Sequence, residues 1–293
     1  MKIARYQNKG KEHYGVIQQE RLLCLDDLAN RTKTILPSDL DDFISLPTAQ
    51  KTVEELLTNA KSSDLDAVSL SLKEVRLLAP IASPPKILCL GLNFQTHVTE
   101  TNEKRPEEPV VFIKPHTTVV GPNDKIIKRS FVKELDYEGE LAVVIGKKTK
   151  DVTVSEALNC VFGYTILNDV SARDFQFRSS QWTLGKSFDT FAPIGPCITT
   201  CNELPDPDNI GMKTWINGEL RQEGNTYDMI FSVAQIIHHL SRVMTLEPCD
   251  IVATGTPSGV GMAMKPPKWL KEGDKIRIEI EGIGTLENTV QEM

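Results

Sequence analysis

From Lys86 onward, short apolar runs recur between glycine- and proline-rich turns: Ile87–Leu90, Val110–Ile113, Leu141–Ile145, Val161–Leu167, Ile251–Ala253 and Lys275–Ile280. Runs this short, rich in β-branched residues and bounded by turn formers, predict strands. Helical spacing is scarcer. It occurs at Val154–Cys160, at Phe175–Ser179 and in Met229–Met244, where Ile230, Val233, Ile236, Ile237 and Leu240 share one face. Strands dominate, so the pattern predicts a β-rich α+β fold whose strands curl into a barrel or a rolled sheet.

Residues 1–78 have a pattern of their own. Three short runs, Lys2–Tyr6, Tyr14–Ile17 and Leu22–Leu25, are broken by polar turns such as Asn8-Lys9-Gly10, which predicts a small antiparallel meander. Thr52–Ala60 predicts a helix, and Lys61–Asp64 a loop after it. The proline-rich stretch Pro80-Ile81-Ala82-Ser83-Pro84-Pro85 marks a junction. The expected division is a small accessory domain over 1–78 and a larger domain over 79–293.

Composition narrows the partners. The net charge of -7 over 293 residues lacks the basic surface that nucleic-acid binding needs. Trp182, Trp215 and Trp269 are isolated and make no base-stacking platform. No apolar run reaches the length of a membrane span, and Met1-Lys2-Ile3-Ala4-Arg5 lacks the apolar core of a signal peptide. The six cysteines are scattered without a C-x-x-C pair, several within apolar runs, as expected of buried thiols in a reducing compartment. A cytoplasmic protein with neither nucleic acid nor membrane as partner is the expectation.

Candidate chemistry begins at Asp136-Tyr137-Glu138-Gly139-Glu140-Leu141, an acidic head running into a strand. Side chains alternate along a strand, so Glu138 and Glu140 share a face. Two readings fit: a solvated strand end, or a buried pair neutralised by a hard divalent cation. Asp169, ending the run Val161–Leu167, supplies a plausible third carboxylate. Such a set suits Mg²⁺ or Mn²⁺, Ca²⁺ less tightly, and contains none of the His or Cys that zinc recruits. His97 and Glu100, three apart after Ile87–Leu90, touch if a helical turn forms there, and the carboxylate then makes the imidazole a general base.

Further along, Arg173 and Gln176 are either a helix-surface pair or contacts for a substrate carboxylate or carbonyl. Lys186, in Leu184-Gly185-Lys186-Ser187, is either a solvated loop lysine or a charge that balances the acids and a developing enolate; a Schiff-base role is less favoured. The turn Thr254-Gly255-Thr256-Pro257-Ser258-Gly259-Val260-Gly261 is either a plain tight turn or a cradle in which backbone N–H groups and the Thr256 hydroxyl hold a carboxylate. It is neither a P-loop nor a G-x-S-x-G elbow. His238 and His239 lie on the margin of a core-packed helix and are set aside.

Taken in order, Asn93–Glu100, Phe112-Ile113-Lys114-Pro115, Asp136–Leu141, Asn168–Asp174 with Gln176, Gly185-Lys186-Ser187 and Thr254–Gly261 resemble the fumarylacetoacetate hydrolase family over roughly residues 80–293. The resemblance implies a rolled β-sheet, usually a homodimer, acting on 2-keto or 1,3-diketo acids bound to Mg²⁺ or Mn²⁺. By position, Glu138, Glu140 and Asp169 match the family's metal ligands, and His97 with Glu100 its His–Glu pair. Arg173, Gln176 and Lys186 match residues near the substrate's oxygens, and Thr256 one that binds its carboxylate. One departure is visible: His116-Thr117 follows Pro115 where many relatives have a small residue such as serine. The first expectation is a metal-dependent hydrolase cleaving a C–C bond in an acylpyruvate-like or fumarylpyruvate-like acid. The alternative is an isomerase or decarboxylase of related dicarboxylates, and a non-catalytic keto-acid binder is a third.

Overall fold

The most apolar runs become strands buried on both faces. Every residue of Gly139–Ile145 and Val161–Asn168 is buried, which is why both read as unbroken rather than alternating patterns. They pair antiparallel, Leu141 opposite Ile166 and Val143 opposite Tyr164. The computed structural model describes residues 1–293. It is a β-rich α+β fold built on a 12-stranded sheet and a five-stranded sheet, with one short pair besides.

The large sheet runs from Ser69–Ser71 through Arg21–Cys24, Lys11–Gln18 and Lys2–Asn8 to Ala192–Thr200, then Val161–Asn168, Gly139–Ile145, Ile251–Ala253, Ile87–Gly91 and Val110–Lys114. Two shorter strands pair off this path. The expected meander forms and extends the same sheet, with Lys2 opposite Thr199 and Ile3 opposite Ile198. Ile3, Tyr14 and Val16 share a buried cluster with Ile87, Ala142 and Ile194. A second, larger cluster joins Leu141 and Val143 to Met212, Ile278 and Leu286 of the five-stranded sheet.

Local differences from the expected elements have physical causes. Residues 61–64 are not a loop, because Ser62–Ala67 forms a helix, and helices also cover Leu25–Thr32 and Leu40–Ser45. The last long helix begins at Val233 rather than Met229, because Ser232 and Gln235 close a capping box there. Phe175–Ser179 is displaced to Arg173–Gln176. The sequence pattern missed Ala192–Thr200, whose Pro193, Gly195 and Pro196 read as turn formers, and Glu219–Asn225, which is polar because it is an edge strand.

Strand direction places the site. Gly139–Ile145 starts where its antiparallel neighbours Val161–Asn168 and Ile251–Ala253 end, Gly139 facing Asn168 and Ala142 facing Ala253. Ile87–Gly91 runs parallel to Ile251–Ala253 and ends beside it. Four strand ends thus converge, and the segments carrying His97, Glu138, Asp169 and Thr256 meet at one edge.

Candidate active site

Glu138, Glu140 and Asp169 come together at that edge, all buried, with one oxygen from each lying within 4.8 Å of the others. The backbone fixes their positions. Glu138 N donates to Asn168 Oδ1 at 3.1 Å and Gly139 N to Gln222 Oε1 at 3.0 Å. Gly255 N, just past the Ile251–Ala253 strand, donates to Glu140 Oε2 at 2.9 Å.

Three cations share the space. Lys186 Nζ bridges Glu138 Oε2 at 2.8 Å and Asp169 Oδ2 at 2.6 Å. Lys114 Nζ holds Asp169 Oδ1 at 2.5 Å and donates to the Val170 carbonyl at 3.2 Å. Arg173 lies between Glu138 Oε1 at 2.7 Å and Asp136 Oδ2 at 2.9 Å. With Asp136 counted, four carboxylates meet three cations, so one negative charge is left in excess.

The imbalance shows in the carboxyls. Burial raises Glu138, but Lys186, Arg173 and His97 outweigh it and hold the group well below the usual carboxylate range. Glu140 is pushed well up, first by burial and then by Asp169 and Glu138. Burial works against the charge on Lys186, yet Asp169 and Glu138 raise its pKa above the ordinary lysine value. Three converging carboxylates with an uncompensated charge, and no thiol or imidazole in the set, fit a hard divalent ion.

His97 and Glu100 lie in the helix Gln95–Glu100, with His97 Nδ1 and Glu100 Oε1 2.8 Å apart. Glu100 Oε2 accepts from Gly259 N at 2.8 Å, so the carboxylate is fixed from both sides. Asn93 anchors the segment, donating from Nδ2 to the Thr254 carbonyl at 2.7 Å and accepting at Oδ1 from Phe231 N at 2.9 Å.

A cleft of about 80 Å³ opens onto His97, Glu138, Glu140, Arg173, Gln176, Lys186 and Thr256, walled by Leu92, Phe112, Phe177, Trp182 and Met262. Trp182 packs so closely on Gly91 that a Cβ there would lie 2.2 Å from its ring. Glu100 stands behind His97, and Asp169 is fully buried beneath the cleft lining.

All nine residues singled out from the sequence therefore gather at one place, though two are engaged differently from expectation. The Arg173 fork is occupied by Asp136 and Glu138, with Gln176 Oε1 on its remaining arm at 2.9 Å. The Thr256 hydroxyl donates to the Gly139 carbonyl at 2.9 Å and accepts from Gln222 Nε2 at 2.7 Å. The backbone N–H groups of Gly255 and Gly259 hold the protein's own Glu140 and Glu100.

Three residues were missed: Lys114, Asp136 and Gln222. Lys114 had a signal, since it ends an apolar strand at the alternate position to Phe112, both pointing inward. The His116 departure lies on an exposed turn and does not line the cleft. His238, set aside, contacts the Val152 carbonyl through Nδ1 at 2.7 Å and does not line the cleft.

Comparison with known proteins finds relatives across both parts of the chain. Residues 86–291 match the family model described as fumarylacetoacetate (FAA) hydrolase C-terminal, and residues 1–80 match one described as Rv2993c-like, N-terminal. The chain is 48% identical over 233 residues to the oxaloacetate tautomerase YisK of Bacillus subtilis, covering 78% of this chain and 77% of that protein. It is 44% identical over 219 residues to the human mitochondrial oxaloacetate tautomerase FAHD2A, covering 74% and 70%. The solved structure of a fumarylacetoacetate hydrolase from Exiguobacterium antarcticum superposes with a TM-score of 0.83 at 38% identity, over 100% of both chains. The chain belongs to the fumarylacetoacetate hydrolase family, and it is an enzyme of that family.

Proposed function

We propose that the enzyme interconverts the keto and enol forms of a small 2-keto dicarboxylic acid of the oxaloacetate type. The observation that carries this reading is the His97–Glu100 pair opening on the same cleft as Lys186 and the carboxylate cluster, in a chain nearly half identical to proteins named oxaloacetate tautomerases. Glu100 accepts the Nδ1 proton of His97, which leaves Nε2 with a free lone pair. That nitrogen removes a proton from the carbon next to the keto group, and the same proton completes the enol at the keto oxygen. Lys186, kept charged by Asp169 and Glu138, donates toward the oxygen on which negative charge develops. Glu138, Glu140 and Asp169 would hold Mg²⁺ or Mn²⁺, which supplies electrophilic polarisation of the acid's keto and carboxylate oxygens. The apolar wall of Phe112, Trp182 and Met262 limits water around the reacting carbon.

Cleavage of an acylpyruvate C–C bond is the second reading, favoured by the full-length likeness to the Exiguobacterium fumarylacetoacetate hydrolase. There His97 would take its proton from water instead of carbon. The two separate when the purified enzyme is given enol-oxaloacetate and, in parallel, a series of acylpyruvates. We expect faster loss of the enol absorbance, abolished by chelation, restored by Mg²⁺ or Mn²⁺ and lost in His97→Ala. Acylpyruvate cleavage without enol turnover would overturn the tautomerase reading in favour of the hydrolase.

A further inference from the structure

The N-terminal sheet carries a second group of metal-ligating side chains, remote in chemistry from the carboxylate cluster. His13 lies on the strand Lys11–Gln18, Cys24 ends the strand Arg21–Cys24, and Asp26 sits in the first turn of the helix Leu25–Thr32. Gly15 faces Cys24 across the ladder, so His13, two residues before Gly15, lies on the same face as Cys24. A Cβ at Gly15 would lie 2.4 Å from the Leu23 carbonyl, so only glycine lets these two strands approach this closely. The helix turn then folds Asp26 back over His13, with Oδ2 3.1 Å from Nδ1. One ligand atom from each of the three residues lies within 4.8 Å of the other two.

A fourth polar group faces the cluster. Tyr6, opposite His13 in the ladder, is fully buried, and its hydroxyl has no hydrogen bond of good geometry. Burial raises its pKa, and the Cys24 thiol raises it further. A buried hydroxyl without a partner is costly, and here it borders the thiol. Access exists from the other side: the side chains of His13 and Asp26 are 26% and 31% exposed, whereas Cys24 is buried.

We propose that His13, Cys24 and Asp26 bind a zinc ion that fastens two strands and the first helix of the N-terminal unit. One nitrogen, one sulfur and one oxygen are a zinc-type set, whereas Mg²⁺ and Ca²⁺ take oxygens alone. Bonds of roughly 2.0–2.3 Å in a tetrahedron set donors about 3.3–3.8 Å apart. The present spread therefore closes with side-chain movements on the order of one ångström. Water or the Tyr6 hydroxyl completes the fourth position, and the Cys24 thiol proton leaves to solvent on binding. This inference is independent of the reaction assigned to the other site.

The test uses the full-length protein, reduced, stripped of metal, and kept in excess Mg²⁺ so that the carboxylate cluster is filled. It is titrated with Co²⁺ and followed by absorbance, because a thiolate-to-cobalt charge-transfer band reports sulfur ligation that carboxylates cannot produce. We expect a band that saturates at one equivalent, is displaced by equimolar Zn²⁺ and is absent in Cys24→Ser. His13→Gln, a change at a partly exposed position whose fold is checked by circular dichroism, should weaken Co²⁺ binding about tenfold or more. No band in the parent protein, a band that persists in Cys24→Ser, or unaltered affinity in a folded His13→Gln would each overturn the proposal. Failure of Zn²⁺ to displace Co²⁺ would overturn the assignment of zinc.

Discussion

A carboxylate on one nitrogen of an imidazole decides which nitrogen is free to take a proton, and Glu100 does this for His97. Glu100→Gln tests that role with little change of shape. The glutamine oxygen would keep the Gly259 N–H, which turns the amide NH₂ toward His97 Nδ1. Nδ1 must then accept, Nε2 carries the hydrogen, and the base is lost. We expect kcat to fall by roughly 10²–10⁴ with little change in KM, as a wrong tautomer predicts. An unchanged kcat in steady-state assays would remove His97 from the base role. At Lys114 the issue is buried charge rather than proton transfer. Its side chain is fully buried on Asp169, so Lys114→Met should leave a carboxylate oxygen unpaired and lower the unfolding free energy by about 3 kcal/mol, measured by urea denaturation. At this scale the sequence was informative where a strand's alternation or a helix's spacing placed two acids, or an acid and a base, side by side. It was uninformative for Asp136 and Gln222, whose partners Arg173 and Thr256 lie 37 and 34 residues away and meet them only in the tertiary fold.

Short helices aim the cations. Thr183–Lys186 packs against Arg173–Gln176 through Gly185, where an added Cβ would come within 2.4 Å of Gln176 N and 2.6 Å of its Cα. Backbone atoms cannot yield as a flexible side chain does, so Gly185→Ala should push the two helices apart and draw Lys186 from Glu138 and Asp169. We expect a loss of about 1–3 kcal/mol in stability, typical of overpacking, together with a larger proportional loss of turnover. Thermal unfolding and activity measured on the same preparation check both, and full activity would show that Lys186 does not depend on this contact. These helices span only four residues each, too short for a 3.6-residue period to register, so the sequence placed one of them two residues late. The strands around them were legible because burial on both faces had purged polar residues from them, and Ile251–Ala253 was found at its observed limits. Lys275–Ile280, buried on one face only, was found at its observed limits through its alternation of apolar and polar positions.

At the scale of the molecule, residues 1–80 and 86–291 match separate family models, yet they share a sheet and a core. A short meander followed by a proline-rich junction predicts a small appended unit, and nothing in that local pattern reports that its first strand pairs with one nearly 200 residues away. Without the N-terminal segment, Ala192–Thr200 would lose its neighbour along one edge from Ile198 to Thr199, and Ile194 and Ala142 would lose the apolar cover of a cluster that includes Ile3, Tyr14 and Val16. An unpaired edge beside exposed apolar surface is a template for association. A protein comprising residues 81–293 alone should therefore be recovered as aggregate or as a partly folded species that binds hydrophobic dyes, despite retaining His97, Glu138, Glu140, Asp169 and Lys186. Size-exclusion chromatography and enol turnover check this together: a monodisperse fragment with full activity would show that the catalytic strands fold without the segment that completes their sheet.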